Sequence, residues 1–129
     1  MRNQTDLTAE YLKMATDALE SAEILLAAGK WRAASSRTYY AAYHAISGIL
    51  LTKNLKFSSH AQTLGAFNRE FIKPGLFPKG YGTRLRLLFK HRQEADYIAF
   101  SPLSESIARE DVQFAEEILN ACKRYLKIE

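Results

Sequence analysis

Two short runs of this 129-residue sequence hold side chains able to grip a phosphate and move a proton. Arg37, Tyr40 and His44 lie at i, i+3 and i+7, which puts a guanidinium, a phenol and an imidazole on one helical face over two turns. The guanidinium is a planar fork of donors suited to phosphate, and the imidazole titrates near neutrality, as acid–base cleavage of RNA requires. The plainer alternative is a buried polar network in which Arg37 and Tyr40 orient the helix.

The second run is Lys90-His91-Arg92-Gln93-Glu94-Ala95-Asp96-Tyr97. Arg92 and Asp96 are one helical turn apart, and a paired aspartate can fix a guanidinium so that its other donors face a phosphate. Tyr97 falls at the helix end, where a phenol can stand in solvent. On physics alone, a helix-end ion pair with an anchoring tyrosine is the better account of this run. Just upstream, Gly80-Tyr81-Gly82-Thr83-Arg84 could expose backbone N–H groups at a helix start beside Arg84 and Arg86.

Other chemistry finds little footing. His44, His60 and His91 are far apart, and neither a His-Glu-x-x-His run nor a cysteine pair is present. No metal and no cofactor are expected, and each histidine reads first as exposed or structurally bonded. The glycine-rich stretch 75–82 lacks the Gly-Lys-Ser/Thr ending of a nucleotide phosphate loop. Cys122, the single cysteine, falls on an apolar helical stripe and reads as a small core residue.

Helical spacing dominates the elements that must position these groups. Leu12, Ala15, Leu19, Ala22 and Leu26 step by three and four, predicting a helix over 6–28 that Gly29 ends. A second helix is predicted from residue 30 or 31 to 52. Its Tyr39–Ile46 stretch is apolar or aromatic almost all round, so it should be central, or shared between the core and a subunit interface. Ser59 and Gln62 have capping-box spacing for a third helix reaching about Ile72. A fourth is predicted from residue 81 or 83 to about 95, then a break over 96–102, then a last helix from 104–108 to the C-terminus. No stretch alternates as a strand would. The fold expected is all-α, an antiparallel up-down bundle of four to five helices, with residues 1–129 as one domain.

Hydrophobic residues at 47% and charged residues at 25% place the chain in the globular range. The first ten residues are polar, so no signal peptide is expected. The longest apolar run, 41–51, is too short for a membrane span. One cysteine fits a reducing, cytoplasmic setting. Net charge is only +4, but it is segregated: residues 24–93 hold twelve Lys or Arg and one acid, Glu70. Such a segment raises the local potential and draws anions, unless acidic end helices pair with it inside the bundle.

The run Ser36-Arg37-Thr38-Tyr39-Tyr40-Ala41-Ala42-Tyr43-His44-Ala45 resembles the second-helix signature of the HEPN superfamily, in the branch called UPF0332. Arg92-Gln93-Glu94-Ala95-Asp96-Tyr97 resembles that branch's second signature. The resemblance covers nearly the whole chain, and it implies a helical bundle, a homodimer, and pairing with a minimal nucleotidyltransferase as toxin and antitoxin. Read with the segregated charge, Arg37, Tyr40, His44, Arg84, Arg86, Lys90, Arg92 and Asp96 are expected to contact nucleotide, RNA or the partner protein through a basic face. Active HEPN toxins are metal-independent ribonucleases with Arg, four to six residues, then His. Arg92 matches the arginine, Tyr97 stands where the histidine would be, and a phenol with a pKa near 10 is a poor base at neutral pH. The readings that follow are a binding subunit of a nucleotidyltransferase pair, a ribonuclease using Arg92 with Tyr97 or His91 (or Arg37 with His44), and a helical adaptor unrelated to nucleotides. In some such pairs the partner transfers AMP to a tyrosine, and Tyr97 is a conceivable acceptor.

Overall fold

The computed structural model describes residues 4–127, which form five α-helices and no strand. Helix α1, Gln4–Ala27, buries the stripe Leu12, Ala15, Leu19, Ala22 and Leu26. It ends as a Schellman turn: Gly29, at φ 77°, donates to the Leu26 carbonyl and Lys30 donates to that of Leu25. Helix α2, Trp31–Leu50, turns straight back along α1. Thr8 Oγ1 near the start of α1 donates to the Gly48 carbonyl near the end of α2 at 3.1 Å, so the two run antiparallel. A Cβ at Gly48 would come within 2.8 Å of Leu12 and 3.0 Å of Tyr11, and glycine is what lets the helices approach there.

The small residues Ala34, Ser35, Ala41, Ala42 and Ala45 are buried on several sides of α2, which packs against α1, α4 and α5. This is the central helix expected from its nearly all-apolar sequence. A short 3-10 turn, Leu51–Lys53, leads towards helix α3, His60–Phe67, which Ser59 caps by accepting from the Gln62 backbone N–H. The helical stretch reaches Ile72 as its spacing predicts, but its last turn, Asn68–Ile72, is π-helical, with Lys73 donating to the Asn68 carbonyl, and this seats Phe71 against Phe67 and Phe77.

Helix α4, Gly80–Tyr97, starts one to three residues before its predicted start and runs about two residues past its predicted end. The extension has a physical cause: Arg32, at the start of α2, donates to the carbonyls of Ala95, Ile98 and Ala99 and caps the end of α4. Helix α5, Glu105–Leu126, is capped by Ser104 and returns along α4, with Asp111 opposite His91 and Glu117 opposite Arg84. Helices α1, α2, α4 and α5 therefore alternate in direction, and one hydrophobic cluster draws on all five helices. No helix of the described residues is long and apolar enough to cross a membrane.

Candidate functional site

Leu85, Leu88 and Ala95 are buried on α4, and Arg92 shares their helical face. The chain thus carries a guanidinium on its core-facing stripe, with its side chain 18% exposed. It lies over the aromatic residues of α2, 5.2 Å from the Tyr40 ring centre and 5.8 Å from that of Tyr39. Arg37 also meets the Tyr40 ring, at 5.7 Å. The two sequence signatures, 55 positions apart from Arg37 to Arg92, therefore converge on one phenol. Arg92 Nε is buried and makes no hydrogen bond, while the Asp96 carboxylate stands 3.5 Å from it, one turn along.

A third element enters from α3. His60 places Nδ1 3.0 Å from the Tyr39 hydroxyl, and its ring lies 4.3 Å from that of Tyr43. Burial, and then the charge of Arg92, hold its pKa below the ordinary imidazole value. Tyr39 is fully buried, and that burial, reinforced by Tyr43 and Tyr40, pushes its phenol well above the usual range against a smaller pull from Arg92. The sequence marked His60 as exposed or structurally bonded, without naming its partner. Its partner lies 21 positions upstream, a distance no local pattern reports.

The Arg37–Tyr40–His44 face forms as its spacing predicts, with the His44 and Tyr40 rings 5.7 Å apart. His44 lies away from the α4 arginine, though. It meets Tyr11 of α1 and helps line a cavity of about 200 Å³ with Tyr11, Met14, Tyr43, Lys56 and Phe57. Its Nδ1 is buried without a hydrogen bond, and burial, then Arg37, lower its pKa.

His91 and Arg92 adjoin in sequence but diverge in space, because neighbours on a helix point about 100° apart. His91 Nδ1 lies 2.7 Å from Asp111 Oδ2, on the side of α4 that faces α5. Burial raises the Asp111 pKa, and the bond to His91 opposes it only in part. Arg84 is on that side too, 4.1 Å from the Phe114 ring centre and 3.7 Å from Glu117. Arg86 points the other way, donating to Thr83 and lining a groove of about 380 Å³ between α3 and α4 with Asn68, Gly82 and Phe89. Lys90 is exposed, and Tyr97 is 77% exposed at the end of α4.

The basic middle of the chain is thus not one uniform surface. Arg32 is taken up by carbonyls, Lys53 and Arg69 share Glu70, and Arg84 is met by the last helix. Among the described residues, no carboxylate lies within ion-pair distance of Arg37, Arg86 or Lys90. Nor does any group of three or more His, Cys, Asp or Glu converge among them as a metal site. Cys122 is buried, which pushes its thiol up to about 12 and leaves it inert at neutral pH.

The HEPN domain family model matches residues 8–125, a span that holds both signatures and every helix bearing the cluster. The chain belongs to the HEPN family. It is similar to a UPF0332 protein of Thermotoga maritima, with 33% identity over 126 residues covering 97% of this chain and 96% of that one. A protein of Methanocaldococcus jannaschii bearing the name "putative toxin" is 33% identical over 118 residues, covering 89% of this chain and 88% of its own. A UPF0332 protein of Pyrococcus horikoshii is 26% identical over 119 residues, covering 92% and 80%. In this HEPN chain the two signatures are the two halves of one cluster.

Proposed function

We propose that this chain is the HEPN subunit of a two-component, toxin–antitoxin-like system, and that it holds the phosphate of RNA or of a nucleotide where Arg37 and Arg92 meet Tyr40. One observation carries this reading: two guanidiniums share a single phenol ring, and the buried Nε of Arg92 has no hydrogen-bond partner. Gathering like charges costs energy that a bound anion returns. Asp96 steadies Arg92 from one side and leaves donors of the fork open. Arg86 and Lys90, near this side of α4, add attraction at longer range, while Arg84 contributes less because Glu117 offsets it.

The partner is a minimal nucleotidyltransferase, and the working unit is a homodimer in the cytoplasm whose subunit is one domain over 1–129. Support for the toxin half comes from the name "putative toxin", which two Methanocaldococcus jannaschii relatives bear. Binding takes precedence over catalysis because Tyr97 and His91 flank Arg92 without facing it, one in solvent and one bonded to Asp111. The second reading, a metal-independent ribonuclease, is favoured by one feature, the imidazole of His60 beside Arg92.

Co-purification from the native cell tests the partnership, and recovery of a nucleotidyltransferase is the expected result. Recovery of the chain alone, with growth unaffected by its expression, would remove the paired-system reading. The phosphate grip is tested by a single-stranded RNA titration of the wild type against Arg37→Ala and Arg92→Ala. Both variants should bind more weakly.

A further inference from the structure

The phosphate grip described above makes no use of His60. Yet four side chains close around this imidazole. Tyr43 lies along one side of its ring, Tyr40 meets it edge-on at 6.0 Å, and Phe89 closes another side at 6.1 Å. The remaining constraint is the Tyr39 hydroxyl at Nδ1.

That last contact fixes where the ring proton sits. The Tyr39 side chain is fully buried, and His60 Nδ1 is the hydrogen-bond partner its hydroxyl has among the described residues. A buried O–H must donate to something. Burial also keeps the phenol protonated throughout the physiological range. Tyr39 therefore donates, Nδ1 accepts, and the single proton of a neutral imidazole is left on Nε2. The ring stays neutral at pH 7 because burial and Arg92 both disfavour its charged form.

We infer that His60 is a fixed Nε2–H donor of the phosphate site, locked in that tautomer by Tyr39, so that the site holds a nucleotide phosphate without transferring a proton. The inference rests on the phosphate grip proposed above and names a fourth side chain for it. Tyr39 acts as a positioning residue and does not touch the ligand. A general base needs a bare ring nitrogen. Here Nδ1 is occupied by the phenol proton, and Nε2 carries its own. To become a base the pair would have to swap tautomers, leaving the Tyr39 proton with no acceptor in an apolar setting. The imidazole beside Arg92 is thus held out of acid–base chemistry by the neighbour that orients it.

The full chain with His60→Ala, His60→Gln and Tyr39→Phe tests this with three probes: inorganic phosphate, AMP and a single-stranded RNA oligonucleotide. Nitrogen-detected NMR reads the tautomer. The wild type should show His60 protonated at Nε2, and Tyr39→Phe should let the two tautomers mix. His60→Ala should weaken AMP and RNA roughly ten-fold, the size of one hydrogen bond to a charged group. His60→Gln, whose amide N–H reaches about where Nε2–H stands, should recover most of that loss, and the RNA should come out uncut. Inorganic phosphate losing affinity in parallel would place the contact at the phosphate, while a loss confined to AMP and RNA would overturn that assignment. An Nδ1–H tautomer in the wild type would overturn the inference. So would RNA cleavage that His60→Gln abolishes, since His60 would then be transferring protons. Unchanged affinity in His60→Ala with a loss in Arg92→Ala would sink the role of His60 and leave the grip standing. Unchanged affinity in both would remove the grip as well.

Discussion

The two sides of α4 are built from the same parts and differ in what completes them. On the side facing α5, Arg84 lies on the Phe114 ring and His91 bonds Asp111. On the side facing α2 and α3, Arg92 lies on the Tyr40 ring and His60 bonds Tyr39. The first side ends in carboxylates: Glu117 answers Arg84 and adds to the burial that pushes Tyr81 up to about 12, and Asp111 answers His91. The second ends in phenols, with the carboxylate of Asp96 at its edge. Arg84 and Arg92 each have one carboxylate nearby, so what sets the tyrosine side apart is the second guanidinium on its shared ring, Arg37, with no carboxylate in ion-pair range among the described residues. A cationic residue becomes a binding residue by what is missing around it, and the +11 segment of the sequence divides along that line.

If the α5 side is structural, damage there should cost stability and spare binding. Phe114→Ala removes the ring that carries Arg84 and packs edge-on to Tyr81, and it should lower unfolding stability by about 3–5 kcal/mol in chemical denaturation. RNA affinity of the folded fraction should hold. Asp111→Ala strands His91 and should cost about 1–3 kcal/mol, again with binding intact. An RNA affinity that falls with either substitution would erase the division between the sides.

Charge reversal sharpens the comparison at smaller amplitude. Arg86→Glu should weaken RNA binding several-fold at low salt, and the effect should shrink as salt rises. Arg84→Glu should change binding less, because its charge is already offset by Glu117. Equal losses would mean that the two sides contribute alike.

The smallest expected effect is in pH. His44 and His60 both have folded pKa values below the unfolded value of 6.5. The unfolded chain therefore takes up protons first on acidification. The stability linked to both groups is present above pH 6.5 and declines as pH falls below it. His44→Phe should flatten part of that decline in thermal melts between neutrality and the carboxylate range. Asp111, with its raised pKa, works in the opposite sense, so a decline that His44→Phe leaves unchanged is the result that would show the His44 ring is not held neutral.

Much of the frame could be read from the sequence because it is local. The α1 stripe from Leu12 to Leu26, the stop at Gly29 and the cap at Ser59 each follow from residues within a few positions of one another. So did the shared face of Arg37, Tyr40 and His44. What local pattern could not supply was depth and partner. The length of α4 depends on Arg32, more than sixty positions upstream in the sequence, and the π-helical turn at Asn68–Ile72 depends on where Phe71 must pack. The opposite facing of Arg84 and Arg86 was implicit in their two-residue spacing, yet their summed charge concealed it. His60 was readable only as exposed or structurally bonded, since the partner that fixes it, Tyr39, lies across the bundle.

Fluorescence titration of a single-stranded RNA against the wild type, Arg92→Ala and Arg84→Ala, with thermal melts confirming that all three fold, tests the division most directly. Arg92→Ala should lose about ten-fold or more in affinity at low salt, the share of a charge-assisted contact to phosphate, while Arg84→Ala stays close to the wild type. A wild type that binds no RNA, or equal losses in the two variants, would contradict the assignment of phosphate to the tyrosine side of α4.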